Sequence, residues 1–193
     1  SRVLDLLCAA GTPVVAVARR ATGKTAPALT EVIADFAALP SLPKAQVAIC
    51  ALGTTIRIAG SQPAFRAIDY DAVLAFARAA QAAGVTHFIL ISSVGASAAS
   101  PVFYSRVKGE LEQSLRDMKN PGYASLTFVR PGLIGGEREE NRRAESLTIL
   151  AVRLLSPVLP RRYRLVPAER IAHHLVDAAL AAVPGVTVLE SEQ

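Results

Sequence analysis

Cysteine is scarce in this chain: Cys8 and Cys50 are its only two, each set inside an apolar run. A pair so placed supplies no disulfide framework and suits buried thiols in a reducing compartment. Metal-ligand spacing is lacking too. His173 and His174 are adjacent on an expected helix and so face different directions, with no Cys or carboxylate at a clear ligand spacing, and no metal site is expected. Charge is sparse, 19% of residues against 51% apolar, which excludes a disordered chain. The net charge of +5 favours anionic ligands, but the basic residues are scattered apart from Arg19-Arg20, Arg142-Arg143 and Arg161-Arg162-Tyr163-Arg164. Nucleic acid is therefore not expected as a partner. No apolar run reaches the roughly 18 to 20 residues that span a bilayer, and no charged start followed by an apolar core marks a signal peptide. A cytoplasmic protein with no membrane partner is the expectation. Repeats, low-complexity tracts and linkers are missing, so residues 1–193 are read as a single domain, with 132–193 a small substrate-side, C-terminal portion.

What the chain does have is alternation. Residues 2–10 read as a helix with Val3, Leu4, Leu6 and Leu7 on its apolar side and Gly11 as its stop. Strands are expected at 14–18, 31–33, 47–50, 87–91, 125–130 and 186–189. Between them come a single turn at 36–39, a long or broken helix at 63–83 ending at Gly84, and helices at 102–118, 144–155 and 168–182. Strands alternating with helices mean an α/β fold with a doubly wound parallel sheet. The first helix of such a fold is a crossover from a preceding strand. The chain opens directly on that helix, so the first strand and its glycine-rich, phosphate-binding turn are expected upstream of Ser1.

The stretch 87–112 carries the chemistry. An apolar strand ends in Ser92-Ser93, a small-residue loop follows, and the next helix carries Tyr104 and Lys108. A spacing of four puts phenol and ammonium on one face of the helix. A free phenol titrates near pH 10, and a fixed ammonium beside it favours the phenolate, about 1.4 kcal/mol per pKa unit. A serine hydroxyl at the carboxyl end of a parallel strand can hydrogen-bond a substrate carbonyl and stabilise a developing alkoxide. The plainer reading is a partly buried Tyr and a solvated Lys. Two other patterns carry less. Ala18-Arg19-Arg20-Ala21-Thr22-Gly23-Lys24-Thr25 imitates a phosphate-binding loop, but Pro27 interrupts the helix it would need, and an exposed loop is the better reading. Glu137, Glu139 and Glu140 read as an exposed charged loop before a paired-carboxylate site. The apolar residues 147–159 are read as a pocket lid, a homodimer face or core.

Four segments together carry a family resemblance: Cys50-Ala51-Leu52-Gly53-Thr54-Thr55, Ser92-Ser93-Val94-Gly95-Ala96, Tyr104 with Lys108-Gly109-Glu110, and Arg130-Pro131-Gly132. On them the chain resembles the short-chain dehydrogenase/reductases of the NAD(P)-binding Rossmann superfamily. More narrowly it looks like the atypical, HIV-Tat-interacting-protein-like oxidoreductase group and its bacterial relatives. The resemblance implies that Tyr104 gives or takes the proton, that Lys108 holds the nicotinamide ribose, and that Ser92 or Ser93 orients the carbonyl. It implies that Leu52 and Gly53 line the adenosine-ribose side of the cofactor and that Ile134 and Arg142 contact it. Arg19 and Arg20 stand where an acidic residue usually binds the ribose of NAD, so two guanidiniums favour the 2′-phosphate of NADP, unless they are merely solvated loop charge. The expected activity is NADPH-linked hydride transfer with a small carbonyl or alcohol. A non-catalytic NADPH-binding regulatory or interaction protein, and a nucleotide-sugar epimerase or dehydratase, are the alternatives. The stretch after Pro131 is small for the last of these.

Overall fold

Valine and isoleucine runs with no polar alternation form strands buried on both faces, which is what a parallel sheet covered by helices requires. In the computed structural model, which describes residues 2–118, 122–135 and 165–190, the order is α1 (Arg2–Ala9), β1 (Val14–Ala18), β2 (Leu29–Ile33), β3 (Val47–Cys50), α2 (Ile56–Ala59) and α3 (Gln62–Arg66). A π-helical segment (Ala67–Ala72) leads into α4 (Val73–Ala82), followed by β4 (His87–Ile91), α5 (Phe103–Arg116), β5 (Ser125–Arg130), β6 (Leu133–Gly135), β7 (Leu165–Pro167), α6 (Ala168–Ala181) and β8 (Gly185–Glu190). The main sheet is four-stranded in the order β3-β4-β5-β8, with every pairing parallel. β1 pairs with β2 and β6 with β7 in two further parallel sheets.

Successive side chains of a strand point to opposite faces, and the core divides accordingly. Phe88 and Leu90 of β4, with Ala48, Cys50, Leu126 and Phe128, pack against Val73, Ala77 and Ala80 of α4 and Leu111 and Leu115 of α5. Ile89 and Val129 face the other way and join Ile171 and Leu175 of α6, with Val3 of α1 packed against that cluster. Helices thus cover both faces of the sheet, as the doubly wound reading expects.

Most expected elements stand within two residues of their predicted ends. The helix expected at 63–83 runs from Gln62 to Ala82, with the π-helical segment as its break. β6 and β7, three residues each, were not expected. No helix starts at Gly23-Lys24, where the backbone is irregular and Lys24 pairs with Asp5. The expected helix at 144–155, the acidic run at Glu137, Glu139 and Glu140, and residues 147–159 lie outside the described residues. Among the described residues, no helix is long and apolar enough to cross a membrane, and no group of three or more His, Cys, Asp or Glu is placed to hold a metal.

Candidate active site

Helix α5 lies beside the carboxyl ends of β3, β4 and β5 and sends two charged side chains into the protein. Lys108 is 3% exposed and Glu112 1% exposed, so Lys108 is not the solvated surface lysine of the plainer reading. Side chains four apart share a helix face, and burying either charge requires a partner.

The partner of Lys108 is Asp69, 1% exposed, with Nζ 2.6 Å from Oδ1. Asp69 lies in the π-helical segment, whose wider turn re-aims side chains relative to a plain α-helix and recurs at functional sites. Its other oxygen, Oδ2, accepts the backbone N–H of Thr54 at 2.8 Å, in the loop after β3. The buried Oδ1 is thus met by the Lys108 ammonium. Gly53 borders the pair: a Cβ there would sit 3.0 Å from Asp69 Oδ1 and 3.7 Å from Lys108 Nζ. The bare backbone of the β3 loop therefore passes beside the ammonium.

Glu112 serves the next two loops. Ser92, 4% exposed, donates its hydroxyl to Oε1 at 2.6 Å. Arg130, at the end of β5, makes a bidentate pair with Glu112, Nε to Oε1 at 2.9 Å and Nη2 to Oε2 at 2.6 Å. Its Nη1 reaches Glu190 of β8 at 3.2 Å. These two carboxylates hold the Arg130 guanidinium above its ordinary pKa, Glu112 most of all. Ser92 is thereby committed to the interior. Ser93 is half-buried, and its hydroxyl makes only a long 3.4 Å contact to the carbonyl of Val94.

Tyr104, half-buried in the first turn of α5, packs its ring 5.3 Å from that of Phe65. Above the helix the loop after Ser93 comes so close that a Cβ on Gly109 would lie 2.1 Å from the carbonyl carbon of Ser97. The Ser97 N–H also donates to the Ser105 carbonyl at 3.1 Å. Glycine at 109 is what lets the small-residue loop lie on α5.

Of the residues expected from sequence, Gly53 and Lys108 come together with Asp69. Leu52 packs against the core beneath them. Arg19 and Arg20 are exposed at the carboxyl end of β1, in the separate β1–β2 pair. The backbone of Ile134 is in β6, paired with Val166, and Arg142 lies outside the described residues. Asp69, Glu112 and Arg130 were not anticipated as site residues. Glu112 had a readable signal, a carboxylate one turn past Lys108.

The described fold matches solved Rossmann-type proteins. MoeE5 in complex with UDP-glucuronic acid and NAD superposes with a TM-score of 0.72 at 19% identity, over 97% of this chain and 70% of that one. The human epimerase family protein SDR39U1 with NADPH gives a TM-score of 0.64 at 19% identity, over 100% of this chain and 70% of that one. At these identities the likeness shows the fold. Among curated relatives, "Protein fmp52, mitochondrial" of Emericella nidulans is 40% identical over 113 residues, 58% of this chain and 46% of its own length. "Protein FMP52, mitochondrial" of Coccidioides immitis is 34% identical over 146 residues, 74% of this chain and 58% of its own length. The chain thus spans about half the length of these relatives. Their names overturn the expectation of a cytoplasmic protein, which rested on composition and the lack of a leader pattern. Neither the relatives nor the family found is specifically the HIV-Tat-interacting-protein-like group, so the resemblance holds at the level of the Rossmann-type fold. The HIM1 family model matches residues 20–160, most of the sequence, and the chain belongs to the HIM1 family.

Proposed function

We propose that this chain carries the catalytic site of a nicotinamide-dependent oxidoreductase, NADPH-linked and acting on a small carbonyl or alcohol, in the manner of the HIV-Tat-interacting-protein-like group. The observation that carries the reading is the burial of Lys108 one turn from Tyr104, beside the bare Gly53 backbone and at the carboxyl ends of parallel strands, where ligands bind in such sheets. The residues present fit a nicotinamide nucleotide. Gly53 lets a sugar approach the loop after β3, and an ammonium with donors to spare lies behind it. The fold neighbours determined with NAD and with NADPH support the same class.

When bound, the nicotinamide ring gives or accepts the hydride. The chain's part is binding, orientation and proton transfer. Lys108 holds the ribose hydroxyls. Tyr104 passes the proton to or from the substrate oxygen. Ser93, whose hydroxyl is not committed to the interior as that of Ser92 is, donates to the same oxygen. Leu52 and Gly53 line the adenosine-ribose side, Arg19 and Arg20 meet a 2′-phosphate, and Ile134 and Arg142 complete the cofactor contacts. The mitochondrial relatives support that location for this protein too.

A carbonyl panel with NADPH tests the reading. Turnover by the full-length protein falls about 10²- to 10⁴-fold in Tyr104→Phe, the usual weight of a general acid-base group. Unchanged turnover removes Tyr104 from the mechanism. Ser93→Ala lowers turnover while leaving the fold intact, and the reverse assignment wins if only Ser92→Ala does so. Replacing Arg19 and Arg20 by Ala weakens NADPH more than NADH; equal weakening sinks the 2′-phosphate assignment. A second reading, a nucleotide-sugar epimerase, draws on neighbours solved with UDP-sugars. Interconversion of UDP-sugars with no net NADPH consumption would favour it.

A further inference from the structure

Between the middle of β4 and the first turn of α5 the chain carries no charge. From Phe88 to Ser105 no residue is acidic or basic, and from Val94 to Ser100 no side chain is larger than valine. This stretch begins beside Ser93 and runs into Tyr104, so it borders whatever lies between those two hydroxyls. It is held down on α5: the Ser97 N–H donates to the Ser105 carbonyl at 3.1 Å, and the backbone of Ser97 and Ala98 lies where a Cβ on Gly109 would go. Further along, Val102 is an apolar side chain left 58% exposed two residues before Tyr104. Phe103 and Tyr104 both rest on the buried ring of Phe65, with ring centroids 6.0 and 5.3 Å away.

The cations of the surrounding helices are already engaged. On α3 and α5, Arg66 pairs with Glu110 at 2.5 Å, Arg106 donates to the Ser100 and Pro101 carbonyls at 2.9 and 3.2 Å, Lys108 meets Asp69, and Arg116 reaches Glu112. On the β5 side the Val94 N–H donates to the Pro131 carbonyl at 3.0 Å. Pro131 also borders a recess lined by Val129, Ile171 and Leu189, whose two ions, Arg130 and Glu190, pair with each other at 3.2 Å; His174 is its other polar group. An anionic group brought against these walls sheds its water and finds no uncommitted cation on α3, α5 or the recess, which is costly. Apolar surface gains by the same move.

We propose that the site takes an uncharged, apolar carbonyl compound, an alkyl or aryl aldehyde or ketone, and discriminates against anionic ones. The inference rests on the proposed function above and adds the substrate class to it. In the reduction the carbonyl carbon gains the hydride of NADPH and its oxygen takes the proton of Tyr104. That proton is restored from solvent, leaving the alcohol and NADP+. The hydrocarbon part lies against the loop of residues 94–100 and extends towards the recess beside Pro131.

Steady-state reduction by the full-length protein at saturating NADPH tests this on two sets of substrates. From propanal to hexanal, kcat/KM rises by about two- to fourfold per added methylene, fourfold being the worth of a fully buried one. p-Tolualdehyde exceeds p-carboxybenzaldehyde in kcat/KM by at least about tenfold, the scale of one charge desolvated without a partner, although its methyl group makes the carbonyl the less electrophilic of the two. Binding gives a reading that needs no turnover. In protein labelled with fluorotyrosine, the resonance that Tyr104→Phe removes responds to p-methylbenzyl alcohol at a concentration at least about tenfold lower than to p-(hydroxymethyl)benzoate. It does so without nucleotide and with NADPH, which cannot react with an alcohol. A flat alkyl series, or equal or faster turnover of the carboxylate, overturns the substrate class and leaves the oxidoreductase reading in place. If no carbonyl is turned over, the oxidoreductase reading falls. The Tyr104 resonance then decides the class alone, and an equal response to the two alcohols overturns it.

Discussion

Glutamate 112 offers the sharpest test of how the site is held. It is 1% exposed, accepts the Ser92 hydroxyl at 2.6 Å, and takes a bidentate guanidinium from Arg130, itself 19% exposed, with Arg116 more distant at 3.5 Å. Glu112→Gln keeps the volume but removes the charge and one acceptor oxygen. It costs about 1.5–3 kcal/mol, the range for hydrogen bonds to charged groups. Glu112→Ala strips both partners and leaves Arg130 with only Glu190. Breaking a buried pair in that way costs about 3–5 kcal/mol. Against a total stability of about 5–15 kcal/mol, either loss is large. For a domain of this size it corresponds to a fall in Tm of about 2–4 °C per kcal/mol. Urea unfolding followed by circular dichroism measures it, with an unchanged m-value showing that the native state alone was affected. Pairing Glu112→Leu with Arg130→Met recovers much of the loss, since an apolar pair leaves no buried charge unmatched. A Glu112→Gln variant within about 0.5 kcal/mol of wild type, the scatter of surface changes, would refute the reasoning: the carboxylate would then not be buried and paired as described.

Three further outcomes follow from the same structure. His87 is 3% exposed with neither ring nitrogen hydrogen-bonded, and burial pushes its pKa below the ordinary value. Its neutral ring therefore contributes fully above the unfolded pKa of about 6.5, and that contribution is lost as pH falls from there through the lower folded value. His87→Leu flattens this part of the stability profile in urea titrations between about pH 7 and 5, and an unchanged slope contradicts it. Gly109→Ala drives a methyl into the backbone of Ser97 and Ala98 and is expected to cost at least about 3 kcal/mol, with altered near-ultraviolet dichroism from Tyr104; a loss under about 1 kcal/mol places that loop elsewhere. Burial pushes the Cys50 thiol up to about 11, so iodoacetamide at about pH 8 labels the half-exposed Cys8 first and Cys50 only after unfolding. Equal labelling rates in the native protein, by mass spectrometry, would show Cys50 to be accessible.

Much of the frame was legible because it rests on local pattern. The run at 87–91 is apolar after His87, whereas 125–130 alternates Ser125, Leu126, Thr127 and Phe128, and both faces of the two strands are covered. The helix of Tyr104 and Lys108 was readable from its spacing and from the serines ahead of it. Other features depend on contacts between distant segments. Nothing in Ala67-Ile68-Asp69-Tyr70-Asp71-Ala72 marks a π-helical turn or says that Asp69 rather than Asp71 points inward. The different settings of Ser92 and Ser93 were not readable either, because the group that accepts the Ser92 hydroxyl, Glu112, lies twenty residues on. Arg130 read only as part of a chain break after β5, because its role depends on Glu112 and Glu190. β6 and β7 are too short for periodicity to register. Location was misjudged because composition and cysteine usage do not separate one reducing compartment from another.

Lys108 and Glu112 together explain why a single helix can organise the site. They are opposite charges one turn apart on one face of α5, yet each is matched by a group from elsewhere. Lys108 reaches Asp69, which holds the loop after β3; Glu112 reaches Ser92 after β4 and Arg130 at the end of β5. Three strand ends are thus tied to one helix by two buried side chains. Any displacement of α5 that moved Tyr104 would have to break charge-assisted contacts of about 1.5–3 kcal/mol each in the interior. The same arrangement limits what can be changed. Under the proposed function, a substitution in Tyr104 or Ser93 alters chemistry alone, whereas one in Asp69, Lys108 or Glu112 shifts the loop that each supports. Loss of activity at the first pair with stability intact, and joint loss at the other three, is the pattern this architecture imposes.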